Sequence, residues 1–327
     1  MATAADGRLG IGSPDEVVRE GLSEIRTTIL GPQILLGFQY QSLFQPGFAR
    51  LEPWRQSLSL AALGLLLATV MMVLAPAPFH QLAEAGQRTA RQEAFNQRML
   101  TVSLGPFALA VGLNLMAVGA GEWGASSAAV AGALAAGVCL LLWYGIEAMV
   151  RRPAARPKRE ARASPTSLKD QVTDLMTETR IVLPGVQALL GFQFAAYLTN
   201  AFPKLAPTAR AAHNAGLALL LLSMILLMTP APFHRLAERG QDSIRICRVG
   251  RACILAALAT LALGLAADVY VAVGIITDSG LAAASAAGMG IFAAFGLWFA
   301  LPILRRVRAP TTRPLINPPN PGRRPEP

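Results

Sequence analysis

Ala75-Pro-Ala-Pro-Phe-His-Gln-Leu-Ala-Glu-Ala-Gly-Gln87 returns 154 residues later as Thr229-Pro-Ala-Pro-Phe-His-Arg-Leu-Ala-Glu-Arg-Gly-Gln241, with ten identities in thirteen positions and no gap. The same offset lays Gln33-Ile-Leu-Leu-Gly-Phe-Gln39 on Gln187-Ala-Leu-Leu-Gly-Phe-Gln193, and Glu24 and Arg26 on Glu178 and Arg180. Self-similarity at a fixed spacing is the mark of a duplicated structural unit. The chain therefore reads as two tandem units, 24–152 and 178–306, with tails at 1–23 and 307–327. The basic linker at 153–177 carries Pro153, Pro157 and Pro165 and reads as flexible or surface-bound.

Around this motif the chain is apolar. Of its 327 residues 53% are hydrophobic and only 15% charged, against about 25% charged in soluble domains. That balance excludes a disordered chain, a coiled coil and a disulfide scaffold. Cys139, Cys247 and Cys253 show no paired spacing and read as packing residues. A helix needs about 20 mostly apolar residues to cross a bilayer. Eight stretches meet or approach this: 27–48, 57–77, 100–120, 126–150, 181–201, 212–231, 252–275 and 282–304. The expected fold is an all-α integral membrane protein, with eight transmembrane helices as two parallel tandem four-helix repeats. The first and fifth stretches are the most polar.

The net charge of +10 follows topology. With the N-terminus inside, 25 of 29 Lys and Arg residues fall in inner segments; the outer loops hold Arg50, Arg55, Lys204 and Arg210. Basic residues are retained on the cytoplasmic side, so both termini are expected in the cytoplasm of a bacterium with the chain in the inner membrane. The basic segments suit anionic lipid headgroups as partners. No aromatic-interleaved basic face points to nucleic acid. A homo-oligomer or a membrane partner is open.

Two polar constellations stand out. Pro76 and Pro78, like Pro230 and Pro232, are expected to break the preceding helix and start a short interfacial one. On it His80 and Glu84, and likewise His234 and Glu238, are four apart and so share a face. Glu24 with Arg26, and Glu178 with Arg180, enter at the same level, so each unit could gather an Arg, a His and carboxylates. This is either a pH-sensitive latch or a structural clamp at the water boundary. The second constellation is Gln33, Gln39, Gln187 and Gln193, either a polar path or inter-helix glue beside Gly37 and Gly191. Asp268, aligned with Asn114, is expected at the outer boundary, and no titratable side chain is expected at the midplane.

The order Glu-x-Arg, Gly-x-Gln-x-Leu-Leu-Gly-Phe and Pro-x-x-x-His-Arg is carried in full by the second unit, at Glu178–Arg180, Gly185–Phe192 and Pro230–Arg235. The first unit departs from it with Pro32 where the second has Val186 and with Gln81 in place of Arg235. In these residues each unit is similar to a family of small four-helix bacterial membrane proteins of unknown function. Some of its members carry a sodium:proton antiporter label. The resemblance implies a fold and a location, and no established activity. No catalytic, cofactor-binding or metal-ligating pattern is present, so an enzyme is not expected. Two functions remain: transport of a small solute or ion along the repeat interface, with cation/proton exchange as one form, or a non-transporting structural or accessory subunit. A wet cavity lined by the glutamines would favour the first.

Overall fold

The computed structural model describes residues 30–145 and 166–308, all helix and turn. The first helix, α1 (30–42), stops well short of residue 48. Pro46 and Gly47 follow, a pair that cannot continue a helical ladder, and a 3-10 turn at Phe48–Arg50 leads on. α2 (Pro53–Leu74) opens with proline at its first position, where no N–H is needed.

α2 runs into α3 (Pro76–Leu82) through Ala75, which keeps right-handed helical angles. Pro76 and Pro78 thus kink one long helix and do not break it. Around the prolines, Ala75 N–H closes a tighter 3-10 bond on the Met72 carbonyl and Phe79 N–H an ordinary α-helical bond on the Ala75 carbonyl, both at 3.2 Å. α4 (Ala90–Trp123) follows, capped by the Thr89 hydroxyl on Gln92 N–H at 3.0 Å. α5 (Ala125–Leu140) then ends in a single π-helical turn, Leu141–Gly145.

The second repeat copies this order. It comprises α6 (Leu168–Tyr197), α7 (Pro207–Met228), α8 (Pro230–Leu236), α9 (Ile244–Thr277) and α10 (Gly280–Phe295), then a π turn at Gly296–Ala300 and α11 (Leu301–Arg308). α6 starts ten residues inside the expected linker, because Ser167 caps it by accepting from Asp170 N–H. The linker's last stretch, 168–177, is therefore rigid helix.

Six of these helical segments are long and apolar enough to cross a membrane: Pro53–Leu82, Ala90–Trp123, Ala125–Gly145, Pro207–Leu236, Ile244–Thr277 and Gly280–Val307. α1 and α6 are not among the six; α1 is described only over 30–42, too short a stretch to cross, and in α6 the glutamines and the charged start dilute the apolar run.

Within each repeat the helices pack as neighbours in sequence: α2 on α4 and α4 on α5, then α7 on α9 and α9 on α10. Small residues set the spacing. A Cβ on Gly112 of α4 would lie 2.6 Å from the Gly132 carbonyl of α5, and one on Gly132 would lie 2.5 Å from the Gly112 carbonyl. Backbones touching this closely are how helices associate where lipid removes the hydrophobic drive.

The repeats share one core. Phe44, Leu66 and Val70 of the first and Leu220, Leu258 and Trp298 of the second belong to a single buried cluster. α2 and α3 touch α9, and α3 touches α11. α1 lies against α6, where a Cβ on Gly185 would fall 1.9 Å from Gln33 Cδ and one on Gly37 would fall 2.1 Å from Phe192.

Candidate functional site

Two polar clusters join the repeats, at opposite ends of α6. Glu178 belongs to one and Gln193 to the other, 15 residues or about 22 Å apart along the helix.

The first cluster forms where the α3 turn of repeat 1 meets the start of α6. Helix α3 ends at Leu82; Ala85 (φ +53°) and Gly86 (φ +78°) then turn left-handed. Glu84 is therefore off the helix, and the expected common face with His80 does not exist. Glu84 instead takes Arg91 Nε at 2.5 Å. His80 Nδ1 meets Glu178 Oε1 of the other repeat, and Gln81 Nε2 donates to Glu178 Oε2 at 2.7 Å. Arg251 of α9 donates from Nε to Gln81 Oε1 at 3.1 Å and from Nη2 to the Ala85 carbonyl at 2.7 Å. Beside them Arg88 forks onto Asp174, Nε to Oδ2 at 2.8 Å and Nη2 to Oδ1 at 2.6 Å.

The cluster expected within each unit is thus shared between units. In repeat 2, α8 likewise ends at Leu236, with Arg239 at φ +51°. His234 Nε2 lies 3.5 Å from Asp242 Oδ1, and Glu238 lies 3.9 Å from Arg245. Arg180 is exposed, and Glu24 and Arg26 lie outside the described residues.

The four glutamines do not form one lane. Gln33 is buried against Gly185 with neither amide atom hydrogen-bonded, while its repeat counterpart Gln187 is exposed. Gln39 donates to the Ser59 carbonyl at 3.1 Å. Only Gln193 joins a titratable group, donating to Asp268 Oδ1 at 2.5 Å.

That bond opens the second cluster. Tyr40 of α1, Gln193 of α6, His213 of α7 and Asp268 of α9 are all buried, His213 completely. The Tyr40 hydroxyl lies 2.8 Å from His213 Nδ1. His213 sits inside an aromatic box of Tyr40, Phe44, Tyr197 and Phe202, with ring centroids 5.0 to 6.1 Å away. Its Nε2 is buried and has no hydrogen-bond partner among the described residues. A small hollow lined by Leu36, Leu63, Leu189 and Leu265 adjoins Tyr40 and Asp268.

Sequence reasoning weighed Asp268 and Gln193 singly and passed over Tyr40 and His213. Nine residues separate Asp268 from the end of α9, about 13 Å, and His213 is six residues into α7, about 9 Å. The cluster therefore lies within the apolar helices, toward the end away from His80. Burial of His213 among four rings was the missing signal, and spacing in sequence does not carry it.

A duplicated bundle with six helices of spanning length and apolarity, sealed by polar contacts between its halves, is a multi-pass membrane protein. The chain belongs to a family of unknown function, DUF6328, whose model matches it twice, over residues 15–147 and 164–302. The two matches are the two repeats, and each starts earlier than the motif alignment placed it. No curated protein and no solved structure matches the chain.

Proposed function

We propose that the protein is an inner-membrane carrier of a small ion or solute, with its site between the repeats at Asp268. The observation that supports this is the assembly of Tyr40, Gln193, His213 and Asp268 from both repeats in a water-poor interior. Ionisable groups inside membrane spans are costly, and they mark ion and substrate pathways by default. In this reading α1 and α6 also cross, giving eight helices with both termini cytoplasmic, the His80 end inward and anionic headgroups around the inner basic residues. The glutamine lane has no part in it, and the protein catalyses no covalent chemistry.

The test is purified protein in liposomes, with sodium, potassium, proton and neutral-solute fluxes followed separately. Flux of one species, lost in Asp268→Asn, supports the carrier. Folded wild-type protein that moves none of them rejects it. A reporter fused to the C-terminus that works only outside would reject the orientation.

One observation favours the second reading, a non-transporting accessory subunit that binds a membrane partner. Gln33 is buried against Gly185, filling the contact between α1 and α6 where an open lane would need space. Absence of flux together with a stoichiometric co-purifying membrane protein would establish it.

A further inference from the structure

We propose that residues 13–26, which lie outside the described residues, dock on the α8 turn of repeat 2 with the Glu24 carboxylate on His234 and Arg235. The occupant is the chain's own N-terminal segment. The contact is the repeat counterpart of the one Glu178 makes with His80 and Gln81.

One short sequence sits in two environments. Pro76-Ala-Pro-Phe-His-Gln-Leu82 and Pro230-Ala-Pro-Phe-His-Arg-Leu236 differ at a single position, and each forms a seven-residue helix. In repeat 1, Pro78, Phe79, His80 and Gln81 are buried. In repeat 2, Pro232, Arg235 and Leu236 are exposed, and Phe233 and His234 are half-buried. Above the first copy stands the start of α6, whose Glu178 accepts from Gln81 Nε2 at 2.7 Å and meets His80 Nδ1. Among the described residues no side chain bonds Arg235.

The offset of 154 residues carries the start of α6 back onto 13–26. Ser167, which caps α6 and bonds the Asp170 carboxylate at 2.6 Å, falls on Ser13. Ser13-Pro-Asp-Glu16 has the residues of a capping box, with proline where a first turn needs no N–H. Val18, Leu22, Ile25 and Ile29 then recur at helical spacing, which makes one apolar face. Glu20 and Glu24 are four apart on another side of that helix, as Asp174 and Glu178 are in α6. The family match starts at residue 15, so it takes in this segment.

Packing and charge support the same placement. Leu175 of α6 seats on Gly250 of α9, where a Cβ would lie 2.2 Å from Leu175 Cδ2. Their counterparts are Gly21 and Asn96, an exchange of small for large that keeps two helices at one spacing. Residues 13–26 hold four acids, Asp15, Glu16, Glu20 and Glu24, against Arg19 and Arg26. Residues 230–248 hold four arginines, Arg235, Arg239, Arg245 and Arg248, against Glu238 and Asp242. The matching stretch of repeat 1, 76–94, is balanced, with two acids and two arginines. Arg235 in the place of Gln81 also gives the carboxylate a charged donor, which makes the stronger bond. One pair runs the other way: Asp242 and Glu20 stand where Arg88 and Asp174 form their fork. Two like charges oppose docking there, and His234 lies 3.5 Å from Asp242.

The test uses the full-length protein in lipid nanodiscs, with two readouts. One is the rate of thermolysin cleavage at Leu22 and Ile25, which reports opening of the docked segment. The other is cross-linking by a short bis-maleimide of Glu20→Cys with Asp242→Cys, after Cys139, Cys247 and Cys253 are replaced by alanine. We expect Arg235→Glu to speed cleavage about tenfold, the order of a lost charged hydrogen bond. Glu24→Arg added to Arg235→Glu should restore the slow rate. Glu20→Arg should slow cleavage below wild type, and should lose that effect in Asp242→Asn. The cysteine pair should join within one chain.

Wild-type cleavage as fast as that of Arg235→Glu overturns the docking, as does a cysteine pair that stays unlinked. Links formed only between chains place the segment on a second copy and overturn the contact within one chain. A rate that the Glu24→Arg/Arg235→Glu exchange leaves fast overturns the pairing of these two residues. None of these outcomes depends on what the bundle carries.

Discussion

At Gly185 a missing side chain does structural work, since a Cβ there would fall 1.9 Å from Gln33 Cδ. Gly185→Ala is expected to cost about 1–3 kcal/mol through overpacking, measured by unfolding in detergent. Adding Gln33→Ala should return part of that loss. The Arg88–Asp174 fork is a second such point. Asp174 is buried and the Arg88 side chain is one-third exposed, so solvent screens the pair in part. Arg88→Ala is expected to cost about 1–2 kcal/mol, and Arg88→Lys to recover only some of it because the two-pronged geometry is lost. The repeat alignment made His80 and Glu178 legible in the sequence, and Asp268 was legible as an acid inside an apolar run. It hid Tyr40 and His213, because their counterparts Phe194 and Ser59 are ordinary residues and give no echo. Nor does an offset of 154 say which repeat a side chain will reach across to. The pairing of His80 with Glu178 was therefore beyond it.

At the scale of elements, the two π turns hold the clearest break in symmetry. Trp143 and Trp298 occupy equivalent places 155 residues apart in Leu141–Gly145 and Gly296–Ala300. Trp143 stacks on Phe107 of its own repeat at 5.5 Å, whereas Trp298 is fully buried and donates to the Met71 carbonyl of the other repeat at 2.8 Å. Trp298→Phe leaves that contact unmade and is expected to cost about 1–3 kcal/mol. Trp143→Phe keeps the stack and is expected to cost less; matched thermal melts decide the order. Existence and order of the helices could be read from hydropathy, while their ends could not. Ser167 extended α6 into a segment whose prolines and charges read as linker. Ala75 and Thr229 let the prolines bend a helix that composition alone would have cut.

For the molecule as a whole, the interface between halves is tied by His80–Glu178, Arg88–Asp174 and Trp298–Met71 and shares one core cluster. Residues 1–152 and 153–327, co-expressed as separate chains, are therefore expected to purify together. Asp174→Asn with Glu178→Gln should reduce that recovery several-fold, and a pull-down from detergent measures it. Duplication and membrane class were legible from the repeat and the charge count. The asymmetry of the halves was not, because it resides in contacts that two similar sequences make differently.

Fusion of the two repeats has one more consequence. Two separate copies related by symmetry would have to meet in the bilayer before Tyr40 reached His213, and a sparse population would sit largely unassembled. Joined in one polypeptide, the halves find each other at a local concentration fixed by the connecting chain. The complete pocket then forms in every molecule, and its abundance rises in direct proportion to synthesis, with no threshold.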